Sequence, residues 1–183
     1  MSTEFKRDID KHAENVVQLL LRLNKKAASA ESCTGGLVSA AITSVSGSSE
    51  VFDMGICSYA NRIKHDKLNV PEEYLEKYGA VSEQTAKAMA EGVMRAAESD
   101  FGISTTGIAG PTGGTEEKPV GTVWIGVCGK SGSRAERFLF ETSGCPEGMT
   151  KREYIRSQAV LTALKMLEAQ ILSEGEQGTR NQQ

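Results

Sequence analysis

Apolar residues recur at helical spacing near both ends of the chain and in short runs between them. Phe5, Ile9, Val16, Leu20 and Leu23 return every three to four residues with charges between, which predicts a helix over residues 3–24. A strand of small residues over 27–30 follows, then a helix over 37–44 and a Ser/Gly turn over 46–49. Residues 52–60 read as a second strand, 61–68 as a helix, and Val70-Pro71 as a break. Ser82 is a suitable N-cap for a helix whose Ala86, Met89, Ala90, Val93 and Ala97 form one face. A third strand over 101–106 leads into a 107–119 loop holding four glycines and two prolines. Strands over 120–128 and 135–140, joined by a Gly/Ser/Lys turn over 129–133, read as an antiparallel hairpin. The last helix, 151–172, has a wide apolar face that includes Val160, Leu164, Leu167 and Ile171, and residues 173–183 read as a disordered polar tail. Helices alternate with strands early and the hairpin comes late. The predicted fold is therefore a single three-layer α/β/α domain with a mixed, mostly parallel sheet, occupying residues 1–172.

Composition narrows the chemistry. The 183 residues are 39% hydrophobic and 25% charged, a globular balance in a chain long enough to bury a core without staples. A net charge of −3 argues against a protein that grips nucleic acid by neutralising phosphates. No apolar run is long enough for a membrane span, and the acid-containing N-terminus does not read as a secretory signal. A cytoplasmic protein is the expectation. Cys33, Cys57, Cys128 and Cys145 form no CxxC pair, and the chain's two histidines, His12 and His65, lie far apart. No zinc-like ligand spacing is present, so neither a metal nor another cofactor is expected.

Three segments break the ordinary pattern. Glu31-Ser32-Cys33-Thr34-Gly35-Gly36 follows a strand and opens a helix, a place where open α/β sheets put ligands. Free amides at such a start suit an anion or a developing oxyanion, although hydroxyls and glycines are also what an ordinary capped turn uses. The 107–119 loop matches neither the Walker pattern nor GxGxxG, yet its length favours a ligand-binding role over a plain surface loop. In Ser58-Tyr59-Ala60-Asn61-Arg62-Ile63-Lys64, Lys64 falls about one turn into a helix. Alone, Lys64 reads as a solvated charge. Beside Ser32 it reads differently, because a serine nucleophile needs a base and histidine is scarce. Tyr59 would relay a proton or orient the pair, or else simply pack at the sheet edge. Cys33 is the alternative nucleophile, ranked below Ser32 because no neighbour serves as its base.

ESCTGG, SYANRIK, YGAVSE and TTGIAGPTGGTEEKPVGTVWIGV stand in the order and spacing of one family, and together resemble the CinA C-terminal domain over residues 14–172. Family members acting alone are bacterial nicotinamide-nucleotide amidases. The resemblance implies metal-free hydrolysis of the carboxamide of nicotinamide mononucleotide, giving nicotinate mononucleotide and ammonia. It places the nucleophile on Ser32, the base on Lys64 and an assisting group on Tyr59. It further implies that Cys33, Thr34, Gly35 and Gly36 supply oxyanion or phosphate donors, and that Thr106, Gly107, Ala109 and Gly110 line the nucleotide pocket. A small-molecule nucleotide is the expected partner, and a homodimer is the family-level expectation.

The chain departs from the family before its last helix. A short G-D-R-x-x-[VI]-R passage is usual there, whereas residues 141–156 are longer and lack the Gly-Asp. Arg152 and Arg156 keep the arginine spacing. Arg152 is taken as a substrate-binding residue and Arg156 as helix-surface charge. Ala60 also stands where the family usually has serine. Two rival readings follow: a catalytically weak or inactive nucleotide-binding paralogue, and an amidase for a different small carboxamide.

Overall fold

Five short strands build one sheet, and the residues on its two faces decide which helices cover them. The computed structural model describes residues 3–180, with side chains over 5–175. In chain order the elements are α1 (Thr3–Leu23), β1 (Ala27–Glu31), α2 (Leu37–Thr43), β2 (Phe52–Cys57), α3 (Asn61–Leu68), α4 (Glu72–Lys77), α5 (Glu83–Ala96), β3 (Phe101–Gly107), β4 (Thr122–Gly129), β5 (Gly132–Leu139) and α6 (Lys151–Arg180). The strand order is β2-β1-β3-β4-β5. β1 runs parallel to β2 and β3, while β4 is antiparallel to β3 and β5. Four strands therefore point one way and β4 the other. This is the mixed three-layer sheet with a late hairpin that the hydrophobic pattern predicts.

Alternation along the strands separates two cores. On one side Ala27, Ile103, Val123, Ile125 and Val127 pack against α1, α2 and α6. On the other, Ala28 and Ala30 meet Leu68, Met89 and Val93 of α3 and α5. That second face is built from small residues so that α5 can lie close to it. A Cβ on Gly102 would come within 2.1 Å of the Ala90 carbonyl oxygen, and one on Gly126 within 2.5 Å of that of Ala86. The Ser104 hydroxyl donates to the same Ala86 oxygen at 2.6 Å.

Several boundaries differ from the sequence expectation, each for a local reason. The 72–77 segment forms α4, because Pro71 occupies the N-cap position and Glu72 and Glu73 favour the positive end of the helix. β2 ends at Cys57 because the chain turns through Tyr59 into α3 at Asn61, although Ser58 N still donates to the Glu31 carbonyl. The hairpin turn has just two residues, Lys130 and Ser131, since Gly129 pairs with Gly132. α6 does not stop at Leu172. Glu174 accepts hydrogen bonds from Lys130 N, Ser131 N, the Ser131 hydroxyl and Gln170, which ties the helix to the hairpin turn. The 173–180 part of the expected tail is thus helical, and 181–183 lie outside the described residues. Among the described residues no helix is long and apolar enough to cross a membrane.

α3 and α5 touch at Gly92, where an added Cβ would sit 2.0 Å from the Leu68 carbonyl oxygen. Backbone cannot yield as a flexible side chain does. Gly92→Ala should destabilise the protein by about 2 kcal/mol or more, read as a lower urea midpoint at an unchanged slope.

Candidate active site

The carboxyl ends of β1, β2 and β3 meet around Ser32. Beyond β1 the chain turns sharply through Gly35 and Gly36, whose φ angles of 60° and 94° lie in the left-handed region. Ser32 N donates to the Thr105 carbonyl of β3 at 2.9 Å, and Ser58 N to the Glu31 carbonyl at 2.8 Å, so the strand ends are laced together. α3 then starts at Asn61 and turns Lys64 inward, on the face it shares with Leu68.

Lys64 is not a solvated charge: only 1% of it is exposed. Its Nζ lies 3.2 Å from Ser32 Oγ, 2.7 Å from the Ser58 carbonyl oxygen and 3.2 Å from that of Tyr59. No carboxylate is among these partners. Burial lowers the Lys64 pKa from 10.5 to about 8. The two carbonyls can accept but never donate, so they hold two N–H bonds whether the nitrogen is ammonium or amine. The remaining corner faces Ser32 Oγ. It is an N–H in the ammonium and a lone pair in the amine, so deprotonation creates an acceptor for the serine proton.

Glu31 is the least expected member of the site. It is 1% exposed, has no cationic partner among the described residues, and is surrounded by donors. One carboxylate oxygen accepts from the Thr34 hydroxyl (2.6 Å), Gly36 N (2.9 Å) and Val38 N (3.1 Å). The other accepts from Ser39 N (2.8 Å) and the Ser39 hydroxyl (2.7 Å). Glu31 thus caps α2 from within and favours its positive end. This corrects the role expected of Gly36, whose amide is engaged by Glu31 and not offered to a substrate. Thr34 is likewise fully buried, its hydroxyl shared between Glu31 and Thr105. Burial pushes the Cys33 thiol up from 9.0 to about 12, so it stays protonated at neutral pH and is a poor nucleophile.

α6 closes the turn from the opposite side. Arg156 donates through Nε to the Cys33 carbonyl (3.1 Å) and through Nη2 to that of Thr34 (2.6 Å), so it is a clamp on the Ser32 turn and not surface charge. Arg152, four residues earlier, donates to the Gly110 carbonyl (2.6 Å) and to the Tyr59 hydroxyl (3.3 Å). The Tyr59 side chain is 64% exposed and touches Arg152, while its contact with Lys64 is made by its carbonyl. A proton relay through the phenol is therefore not what this geometry offers.

The 107–119 loop contributes less side-chain surface than expected. The Thr106 hydroxyl donates to the Ala80 carbonyl, Ala109 is packed in the core, and Gly107 is pressed against Thr122 and Val123. Gly110 contributes its carbonyl, to Arg152. Neither histidine takes part: His12 contacts Glu168, and His65 the Val70 carbonyl. Among the described residues no three His, Cys, Asp or Glu side chains gather as a metal-binding group. Sequence reasoning missed Glu31, Thr105 and Arg156. The first lay inside the quoted ESCTGG motif. Thr105 opens the quoted TTGIAG segment, and Arg156 stands at the family's arginine spacing, where it read as helix-surface charge.

A family model for the CinA C-terminal domain matches residues 9–171. The chain belongs to the CinA C-terminal domain family. A nicotinamide-nucleotide amidohydrolase PncC of Enterobacter agglomerans is 51% identical over 136 residues, which are 74% of this chain and 79% of that protein. A CinA-like protein of Synechococcus is 47% identical over 168 residues, covering 91% of this chain. The chain spans only 39% of that relative's length. The crystal structure of the competence/damage inducible protein CihA from Agrobacterium tumefaciens superposes with a TM-score of 0.82 at 40% identity, covering 88% of this chain and 94% of that one.

Glu31→Gln tests the internal cap of this CinA-family domain. Whichever way the amide turns, an NH2 group faces donors that now meet a carboxylate oxygen. The variant should lose about 2 to 3 kcal/mol of stability, the cost of buried groups left unsatisfied, measured by chemical denaturation.

Proposed function

We propose that the chain is a nicotinamide-nucleotide amidohydrolase, converting nicotinamide mononucleotide and water to nicotinate mononucleotide and ammonia. The 3.2 Å contact between Ser32 Oγ and a lysine with no acidic partner among the described residues carries this reading. The name of the Enterobacter agglomerans relative supports it. In the proposed reaction, neutral Lys64 takes the Ser32 proton while Oγ attacks the carboxamide carbon. The tetrahedral intermediate collapses with cleavage of the C–N bond, and the ammonium of Lys64 returns the proton to the departing nitrogen. Ammonia leaves an acyl-Ser32 ester. Lys64 then deprotonates a water, which attacks the ester and releases the nicotinate product as Ser32 regains its proton. The cationic pyridinium draws electrons from the carbonyl and lowers the demand on the nucleophile. Arg152, at the rim beside the exposed Tyr59 ring, is the proposed partner of the substrate phosphate.

Ammonia release from nicotinamide mononucleotide is the direct assay, run with and without chelator. Ser32→Ala and Lys64→Ala should each lower turnover by at least about 10³-fold, with circular dichroism unchanged. Near-wild-type turnover in either variant would sink the serine–lysine assignment. A folded wild type that binds the nucleotide but releases no ammonia would point to a binding module instead.

The pH dependence has a definite sign. The protonated ammonium cannot act as base, so activity is present above the Lys64 pKa and lost below it. kcat/KM should rise with pH to a plateau with a midpoint near 8. Below the midpoint it should fall about tenfold per pH unit, and a profile flat between pH 6 and pH 9, a range of about three units around that midpoint, would contradict the assignment of the base.

A further inference from the structure

A cleft of about 420 Å³ shares no lining residue with the Ser32–Lys64 site. Its floor is the exposed part of the β4–β5 face. Trp124 and Arg137 are register partners on those neighbouring strands, so their side chains stand on the same side of the sheet. One wall is the end of α4 and the first turn of α5, with Lys77 and Tyr78; the other is the loop carrying Glu117 and Lys118. Three cations meet two acids in this lining, in a chain whose net charge is −3.

The cations are oriented but not neutralised. Arg137 donates to the Glu117 carbonyl oxygen at 3.0 Å, and Lys118 to the Tyr78 carbonyl oxygen at 2.9 Å. Among the described residues neither forms an ion pair, so no carboxylate occupies their remaining N–H groups. Trp124 is half-buried and offers a flat apolar surface beside them. An indole next to held guanidinium and ammonium groups suits a ligand that is aromatic at one end and anionic at the other. The volume lies in the range of small-molecule sites, about 300–1,000 Å³.

We propose that this cleft binds a nucleoside monophosphate, with its base against Trp124 and its phosphate on Arg137 and Lys118, at a site separate from Ser32–Lys64. The two sites share one support. Thr105 holds the Ser32 turn, and its neighbour Thr106 braces Ala80, between Tyr78 and Val81 in the wall of the cleft.

Trp124 is the only tryptophan in the chain, so its fluorescence reports on the cleft alone. Titration of the purified protein with AMP should quench it saturably, with the same affinity by calorimetry. Arg137→Ala, an exposed strand position where folding is preserved, should weaken AMP binding by about tenfold, and Arg137→Lys by less. Arg152→Ala and Lys64→Ala should leave it unchanged. Absence of saturable binding by both methods at millimolar AMP would overturn the proposal. So would equal affinity in Arg137→Ala, or a loss caused by Arg152→Ala and not by Arg137→Ala, which would place AMP in the Ser32 site. None of these readings depends on turnover, so the proposal and the amidase assignment fail separately.

Discussion

A carboxylate buried without a counter-ion is tolerated only where hydrogen bonds replace its water. Glu31 meets that demand with five donors, three of them the amides of Gly36, Val38 and Ser39. The arrangement dictates the turn that carries Ser32, because the chain must fold back at Gly35 and Gly36 to present those amides to the residue that ended the strand. Arg156 then holds the Cys33 and Thr34 carbonyls from outside. The nucleophile candidate is therefore gripped between an internal anion and an external cation, on a turn with little freedom to move.

Lys64 completes the arrangement by what it lacks. A lysine beside a carboxylate would be held as ammonium, whereas this one has a hydroxyl and two carbonyls for partners. Burial in that setting favours the neutral form. The arginines of α6 behave differently, since a guanidinium stays charged whatever surrounds it. One α6 face thus supplies Arg152 and Arg156 as permanent cations at the rim, while the base candidate beneath them is a group that can lose its charge near neutral pH.

The packing that places Lys64 is set on the far side of the sheet. Small residues at Ala28, Ala30, Gly102, Ser104 and Gly126 let α5 lie close against the strands, and Gly92 lets α3 lie against α5. A larger side chain at Gly92 would press on the Leu68 backbone of α3, the helix that carries Lys64. Chemistry at the strand ends and glycine usage in the layer below are one constraint.

Local pattern determined the strands, most of the helices, the sheet type and the late hairpin, because periodicity and turn chemistry act within a few residues. The motif residues Ser32 and Lys64 were also legible, through the resemblance and the scarcity of histidine. Tertiary structure decided the rest. Only the contact of β1 with β2 and α3 turns Lys64 from an ordinary helix lysine into a buried partner of Ser32. Only the docking of α6 makes Arg156 a clamp, and only Glu31's capture of the α2 amides removes Gly36 from the donors expected there. The resemblance makes Thr106 and Ala109 pocket residues, yet the Thr106 hydroxyl donates to the Ala80 carbonyl and Ala109 is buried in the core. Burial and hydrogen-bond partners are set by residues far apart in the chain, and no window of sequence contains both.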